Sequence, residues 1–197
     1  MILYCPIDLP KVPKINLEGI TENKFAAWNF YRITEKKEQY SQNEILKSFR
    51  EKNPEFIKWL ELLPWIKIMN IKYNYQNRVV ESHIDFTAPN DNLDLYNNNF
   101  FNEPCGYRCV ITGKQKDALY VVGKDNKRHY VRIPDETDTY VINHTTGIHG
   151  VDGDIGRETL FFHFEIDPIK HRELLKKSYK KYKDYAVVIN QEESVIE

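Results

Sequence analysis

Hydrophobic and polar residues alternate along most of the chain between Trp65 and Ile166, in short segments rich in β-branched side chains. Such alternation is typical of strands that bury one face. The pattern predicts seven strands, over residues 66–75, 79–86, 107–112, 118–122, 129–133, 139–143 and 158–166. Polar turns at Gly113, at 123–126 and at 152–154 separate some of them. Short strands with few helices between them predict a mainly β, antiparallel sandwich or barrel.

Helical patterns flank this region. Ser41 and Glu44 have the spacing of a capping box, ahead of a helix that carries Ile45, Leu46 and Phe49. Pro54 begins a second predicted helix that ends near Pro64, whereas the first forty residues predict an irregular or strand-containing lead-in. A last helix is predicted over 168–185, packing through an apolar stripe of Ile169, Leu174, Leu175, Tyr179 and Tyr182.

The length, charge and cysteine content of the chain limit the number of domains, the partners and the setting that we expect for it. With 197 residues, 41% of them hydrophobic, the chain is long enough for one good core and short for two. Its 28 basic and 29 acidic residues leave a net charge of −1, so there is no clear nucleic-acid or membrane signal. Three cysteines without a Cys-x-x-Cys pair, and no signal-like or membrane-spanning segment, favour a reducing, cytoplasmic setting.

A small set of residues carries candidate chemistry. His83 and Asp85 fall two apart in a predicted strand, so their side chains point to the same side. His149 follows much later in the chain, and Arg157 and Thr159 open the last predicted strand. Two histidines and one carboxylate can occupy one face of a ferrous ion and leave the opposite face open. A fixed guanidinium suits a dicarboxylate such as 2-oxoglutarate in the remaining space.

This order of residues resembles the Fe(II)/2-oxoglutarate-dependent oxygenase superfamily, in its aspartyl/asparaginyl hydroxylase-like or proline-hydroxylase-like branch. The shared pattern is His-x-Asp, a distal His beside Gly and Val, and an Arg followed two residues later by Ser or Thr. The resemblance implies one domain with a double-stranded β-helix (jelly-roll, cupin-like) core over 66–166. Residues 1–65 would form a mixed, partly helical lead-in, and 167–197 a C-terminal helix and tail.

The resemblance also implies roles. His83, Asp85 and His149 would bind Fe(II) and form the catalytic centre, and Arg157 and Thr159 would bind the far carboxylate of 2-oxoglutarate. Arg108 is a candidate for a further co-substrate or substrate contact, with a surface arginine as the alternative. The implied activity is a dioxygenase that hydroxylates an amino-acid side chain, free or in a polypeptide, with release of succinate and CO2. The substrate itself and the oligomeric state are not specified by the sequence.

Several alternatives stay open at the level of sequence. His144 competes with His149 as the distal ligand, although Gly150 and Val151 favour His149. A cupin-like metalloenzyme that does not use 2-oxoglutarate would need no Arg157, and a non-catalytic β-sandwich binding module would use its histidines structurally. The segment 89–104 is rich in asparagine and aromatic residues. It is interpreted as a lid or substrate-facing loop, with a surface insertion that has no role as the alternative.

Overall fold

The computed structural model describes residues 1–25, 28–35, 41–85, 103–112, 118–144, 147–152 and 156–189. In this part of the chain the fold is mainly β. The strands are β1 Ile2–Pro6, β2 Glu22–Phe25, β3 Trp28–Arg32, β4 Trp65–Gln76, β5 Val80–His83, β6 Gly106–Thr112, β7 Leu119–Val122, β8 Arg128–Tyr130, β9 Thr139–Ile142, β10 His149–Val151, β11 Glu158–Ile166 and β12 Val187–Val188. The helices are α1 Lys47–Lys52, α2 Pro54–Leu60 and α3 Pro168–Tyr182.

The strands form two antiparallel sheets. The larger sheet has the order β12-β1-β9-β6-β11-β4-β3-β2, and the smaller has the order β5-β10-β7-β8. From β4 to β11 the chain passes repeatedly between the sheets: β4, β6, β9 and β11 belong to the larger one, and β5, β7, β8 and β10 to the smaller. Residues that are distant in sequence, such as those of β5 and β10, therefore become direct neighbours.

Two hydrophobic clusters hold the layers together. One cluster lies between the sheets and joins Val110 and Tyr140 of the larger sheet to Val121 and Val151 of the smaller. The second packs helices on the larger sheet and contains the buried residues Phe49, Phe56, Trp59, Leu160, Phe162 and Leu175. The helices thus cover one face of the larger sheet, and its other face is available to line an interior shared with the smaller sheet.

The sequence predictions of strands in the 65–166 region are confirmed for the most part, with shifted ends. β5 ends at His83 rather than continuing to 86, and β8 is shorter and earlier than predicted. The short strand β10 was not predicted, nor were the individual strands β1, β2, β3 and β12. Residues 86–102, which hold most of the predicted loop 89–104, lie outside the described residues, as do Gly113 and 153–154 of the predicted turns.

The predicted capping box is wrong. Leu46, not Ser41, precedes α1, and the Ser41 hydroxyl interacts with the Asn43 side chain instead. The segment is extended because the Asn43 N–H donates to the Ile68 carbonyl and Ile45 forms a β-bridge with Thr34. The second helix does begin at Pro54, as predicted, and ends at Leu60.

The C-terminal helix is present, but its predicted apolar stripe is partly wrong. The Asp167 side chain accepts hydrogen bonds from the first turn of α3. Ile169 is 71% exposed, whereas His171 and Ser178 are buried together with Leu175 and Tyr182. Within the described part of the chain, no helix is long and apolar enough to cross a membrane.

Candidate metal centre

The candidate centre is built on two paired strands of the smaller sheet. His83 at the end of β5 lies directly opposite His149 at the start of β10, and the ring centroids are 4.5 Å apart. His149 is buried and His83 is partly exposed. The antiparallel register therefore places two imidazoles side by side at the edge of the interior.

Asp85 completes the group from just beyond β5. Its backbone N–H donates to the His144 carbonyl at 3.0 Å, which fixes the segment although it is not a strand. Asp85 Oδ1 lies 3.0 Å from His83 Nε2 and 3.3 Å from His149 Nε2. The predicted placement of His83 and Asp85 on one continuous strand is thus wrong, but their side chains do meet.

The donor geometry suits a metal ion. One ligand atom from each of His83, Asp85 and His149 lies within 4.8 Å of the others. Two donors at right angles, each about 2.1 Å from a metal, are about 3.0 Å apart, close to both nitrogen–oxygen distances here. Two imidazoles and one carboxylate are also the donor set expected for non-heme ferrous iron with open coordination positions.

Backbone carbonyls orient both rings. Nδ1 of His83 lies 2.7 Å from the Glu81 carbonyl oxygen, and Nδ1 of His149 lies 3.1 Å from that of Gly147. A carbonyl can only accept, so each Nδ1 carries the proton in these contacts. Each Nε2 is then the nitrogen left for a metal, which is the usual arrangement around metal-binding histidines.

Arg108 of β6 contacts the other oxygen of the carboxylate. Its guanidinium donates to Asp85 Oδ2 at 2.7 Å and lies 3.8 Å from the centre of the Phe161 ring. Burial raises the pKa of Asp85, but hydrogen bonds from His149 and His83 and the Arg108 charge outweigh it and hold that pKa well below its usual value. The hydrogen bond to Asp85 in turn raises the pKa of His83. Arg108 is therefore a buried partner of Asp85 rather than a surface arginine.

Arg157 and Thr159 are buried where the last residues of β4 pair with the first residues of β11, in the middle of the larger sheet. Arg157 is 1% exposed, and its carbonyl accepts a hydrogen bond from the Gln76 N–H. Thr159 Oγ1 and Gln76 Oε1 are buried and have no hydrogen-bond partner among the described residues. Buried polar atoms are normally paired, so the Thr159 hydroxyl is available to donate to a ligand oxygen, whereas Gln76 Oε1 can only accept.

His144 does not join the group of metal-type donors among the described residues. Its ring sits against Gly106, at the position where a Cβ of residue 106 would stand. Burial, and then the Arg108 charge, lowers the pKa of His144 to about 4. The structure thus brings His149 to Asp85 and His83, and His144 contributes its backbone carbonyl instead.

A cavity of about 300 Å³ opens beside Asp85. Its walls include residues that were not predicted from the sequence to belong to a site, namely Trp28, Phe30, Lys72, Asn74, Phe161 and His163. They come from β3, β4 and β11, which lie next to one another in the larger sheet. Alternation does place Lys72 and Asn74 on one face of β4, but the neighbouring strand β3 was not predicted individually.

No protein-family model matches the chain, and no curated protein matches it in sequence. One solved structure that it resembles is an oxidoreductase of the 2OG-Fe(II) oxygenase family from Burkholderia pseudomallei. The TM-score is 0.40 at 10% identity, over 76% of this chain and 74% of the other.

Proposed function

We propose that the protein is an Fe(II)- and 2-oxoglutarate-dependent oxygenase with a double-stranded β-helix core formed by β4–β11. Counted from β4 as the first strand, the larger sheet contains the order 1-8-3-6 and the smaller sheet the order 2-7-4-5. This is the strand order of a jelly roll, the fold that closes two facing sheets around an interior site. The proposal extends the observed mainly β, antiparallel architecture to a specific fold.

The observation that carries the proposal is the convergence of His83, Asp85 and His149 on one point beside a cavity. These residues would hold Fe(II), the two histidines through Nε2 and Asp85 through Oδ1. Arg108 would keep Asp85 Oδ2 engaged and so orient the carboxylate toward the metal. The chain supplies three protein donors, which leaves room for a co-substrate and dioxygen on an octahedral ion.

Arg157 and Thr159 would bind the far carboxylate of 2-oxoglutarate. Both are fully buried, Thr159 offers a hydroxyl without a partner among the described residues, and Arg157 comes two residues earlier, just before β11 begins. A buried guanidinium beside a hydroxyl donor suits a carboxylate that has been removed from water. His83, Asp85 and His149 would meanwhile hold the metal from the side of the smaller sheet.

When bound, iron and 2-oxoglutarate would supply dioxygen-dependent oxidation of a C–H bond, with release of succinate and CO2. The chain would contribute position and a water-poor environment. Trp28, Phe30 and Phe161 line the cavity and would exclude water from the substrate, and the same cavity reaches Asp85. We propose a hydroxylation as the reaction, with an amino-acid side chain as the site of oxidation.

Anaerobic addition of Fe(II) and then 2-oxoglutarate to the purified protein tests the proposal. We expect a weak visible charge-transfer band that needs both additions, and succinate formation once air is admitted. Arg157→Gln should raise the 2-oxoglutarate concentration needed for half of the band by at least about tenfold, because it removes a charge-assisted hydrogen bond.

Arg132→Gln, which changes an arginine that is far more exposed, is the matched control and should leave this titration unchanged. The absence of both the band and succinate would overturn the proposal. A protein that binds iron and oxidises a substrate equally well with Arg157→Gln would instead be a cupin-like metalloenzyme that does not use 2-oxoglutarate.

A further inference from the structure

The cavity beside the candidate metal centre has a charge imbalance. Its charged walls are Lys72, Asp85 and Arg108. Asp85 and Arg108 form an ion pair at 2.7 Å, so they neutralise each other to first order. Lys72 Nζ lies 5.1 Å from the centre of the Phe30 ring, and no described carboxylate lies within ion-pair distance of it. The lysine ammonium is therefore the excess charge of the cavity.

The charges that act on Lys72 are themselves positive, those of Arg32 and Arg108. Burial lowers the pKa of Lys72, and the charges of Arg32 and Arg108 lower it further. Burial, followed by the Arg108 and Lys72 charges, also lowers the pKa of His163 to about 3, so that ring is neutral near pH 7. An anion placed in the cavity would meet an ammonium group and, among the described lining residues, no competing carboxylate apart from the one already paired with Arg108.

The remaining walls are apolar and flat. The Trp28 and Phe161 rings pack edge to face at 5.4 Å, and Phe30 faces the same cavity. Phe161 pairs with Lys72 on one side and with Arg108 on the other. Lys72 and Arg108 are thus two strand spacings apart, roughly 10 Å between backbones, with an aromatic floor between them.

We propose that this cavity binds the substrate through an anionic group, a carboxylate or a phosphate, that pairs with Lys72. The adjoining apolar part of the substrate would pack on Trp28, Phe30 and Phe161 and extend toward Asp85. The inference rests on the proposed function in one respect: it identifies the bound molecule as the substrate of that reaction. The binding site itself stands on the cavity, its charge and its aromatic walls.

Titration of the metal-free full chain, followed by protein NMR, tests the site without iron or 2-oxoglutarate. The probes are phenylacetate, phenyl phosphate and the uncharged phenylacetamide, up to millimolar concentrations. We expect the charged probes to shift resonances of the cavity residues and phenylacetamide to bind more weakly. The carboxylate and phosphate arms show which anion the cavity prefers.

Variants of Lys72 decide whether the lysine is responsible. Lys72→Gln should raise the Kd of the preferred charged probe by about tenfold or more, since it removes a charge-assisted hydrogen bond, and should leave phenylacetamide unaffected. Lys72→Arg should retain most of the affinity, which separates loss of charge from loss of folding. Lys47→Gln, which removes an exposed lysine on α1, is the charge-matched control and should change nothing.

The proposal is overturned if no probe binds, if phenylacetamide binds as well as the charged probes, or if Lys72→Gln leaves the Kd unchanged. It is also overturned if 2-oxoglutarate displaces phenylacetate and depends on Lys72 but not on Arg157, because the cavity would then be the co-substrate site. Failure of the proposed function can be distinguished from failure of this anion site. The first would show as a missing charge-transfer band and missing succinate, neither of which would alter these metal-free titrations.

Discussion

His149 lies directly across the antiparallel β5–β10 pair from His83, and the two imidazole rings are 4.5 Å apart between centroids. Their separation is set by the register of two hydrogen-bonded strands, and a backbone carbonyl fixes each ring. A site on paired strands is more precisely positioned than one on loops. Removal of one imidazole should therefore change metal binding more than it changes the fold.

The first prediction separates the two candidate distal ligands. We expect His149→Ala to weaken Fe(II) binding by at least about a hundredfold, because loss of a direct ligand should exceed the effect of losing an outer partner. His144→Ala should weaken it much less, since the contribution of that residue near Asp85 is its backbone carbonyl. Anaerobic equilibrium titration with Fe(II) measures both. Loss of binding in His144→Ala with retention in His149→Ala would reverse the assignment.

The second prediction concerns the Arg108–Asp85 contact. Arg108→Gln removes the charged donor from Asp85 Oδ2, so the carboxylate loses its orientation toward the histidines. We expect Fe(II) affinity to fall by about ten- to a hundredfold, the usual effect of losing such a partner. Arg108→Lys, which keeps the charge but not the planar fork, should fall between the wild type and Arg108→Gln.

The same titrations on Phe161→Leu provide the control for this prediction. This change removes the ring beneath the guanidinium but leaves the Asp85 contact in place, so Fe(II) affinity should stay within a few-fold of the wild type. Equal Fe(II) affinities in Arg108→Gln and the wild type would show that Arg108 does not position Asp85.

Much of the β architecture could be predicted because alternation survives in long strands. β4, β6 and β11 were predicted to within one residue, although β6 is buried on both faces over its first five residues. β10 has three residues, one of them Gly150, which is too short to show a period of two. His149 was found from its neighbours in the sequence and not from a predicted strand.

The failures have a common physical cause, which is pairing with distant residues. The conformation of the 41–46 segment is set by a hydrogen bond to the Ile68 carbonyl and by a β-bridge to Thr34, and not by a local capping box. His171 is buried on α3 because Tyr107 provides a hydrogen-bond partner, which a hydrophobic stripe cannot reveal. Lys72 likewise enters the site through cross-strand register, which is absent from the linear sequence.

The third prediction tests why β10 carries a glycine beside His149. A Cβ at Gly150 would overlap the Tyr120 hydroxyl, lie 2.6 Å from its ring carbon Cζ and 2.9 Å from the Val80 carbonyl oxygen. We expect Gly150→Ala to destabilise the protein by about 1–3 kcal/mol, the usual cost of overpacking, and to weaken Fe(II) binding. Urea unfolding and metal titration measure the two effects.

Ser82→Ala is the comparison for Gly150→Ala. It removes the 2.8 Å hydrogen bond to the Tyr120 hydroxyl without adding atoms, so it should cost about 1 kcal/mol and leave Fe(II) affinity nearly unchanged. If Gly150→Ala were as stable as the wild type, the β5–β10–β7 packing around Tyr120 would be looser than the structure shows.

The last prediction concerns acid stability and the buried His171. Burial, and then the Arg172 charge, lowers the pKa of His171 to about 4, so the ring is neutral in the folded protein and shares a hydrogen bond with the Tyr107 hydroxyl. In the unfolded chain the ring takes up a proton near pH 6.5, whereas the buried ring does not until about pH 4. The stabilising contribution of the buried His171 ring is therefore present above pH 6.5 and is lost as pH falls toward 4. One such group contributes at most about 1.4 kcal/mol per pH unit in this window.

We expect His171→Gln to make this loss of stability less steep, although the change costs stability at pH 7. Urea unfolding at several pH values measures both effects. An unchanged slope in His171→Gln would mean that the buried ring does not govern acid unfolding.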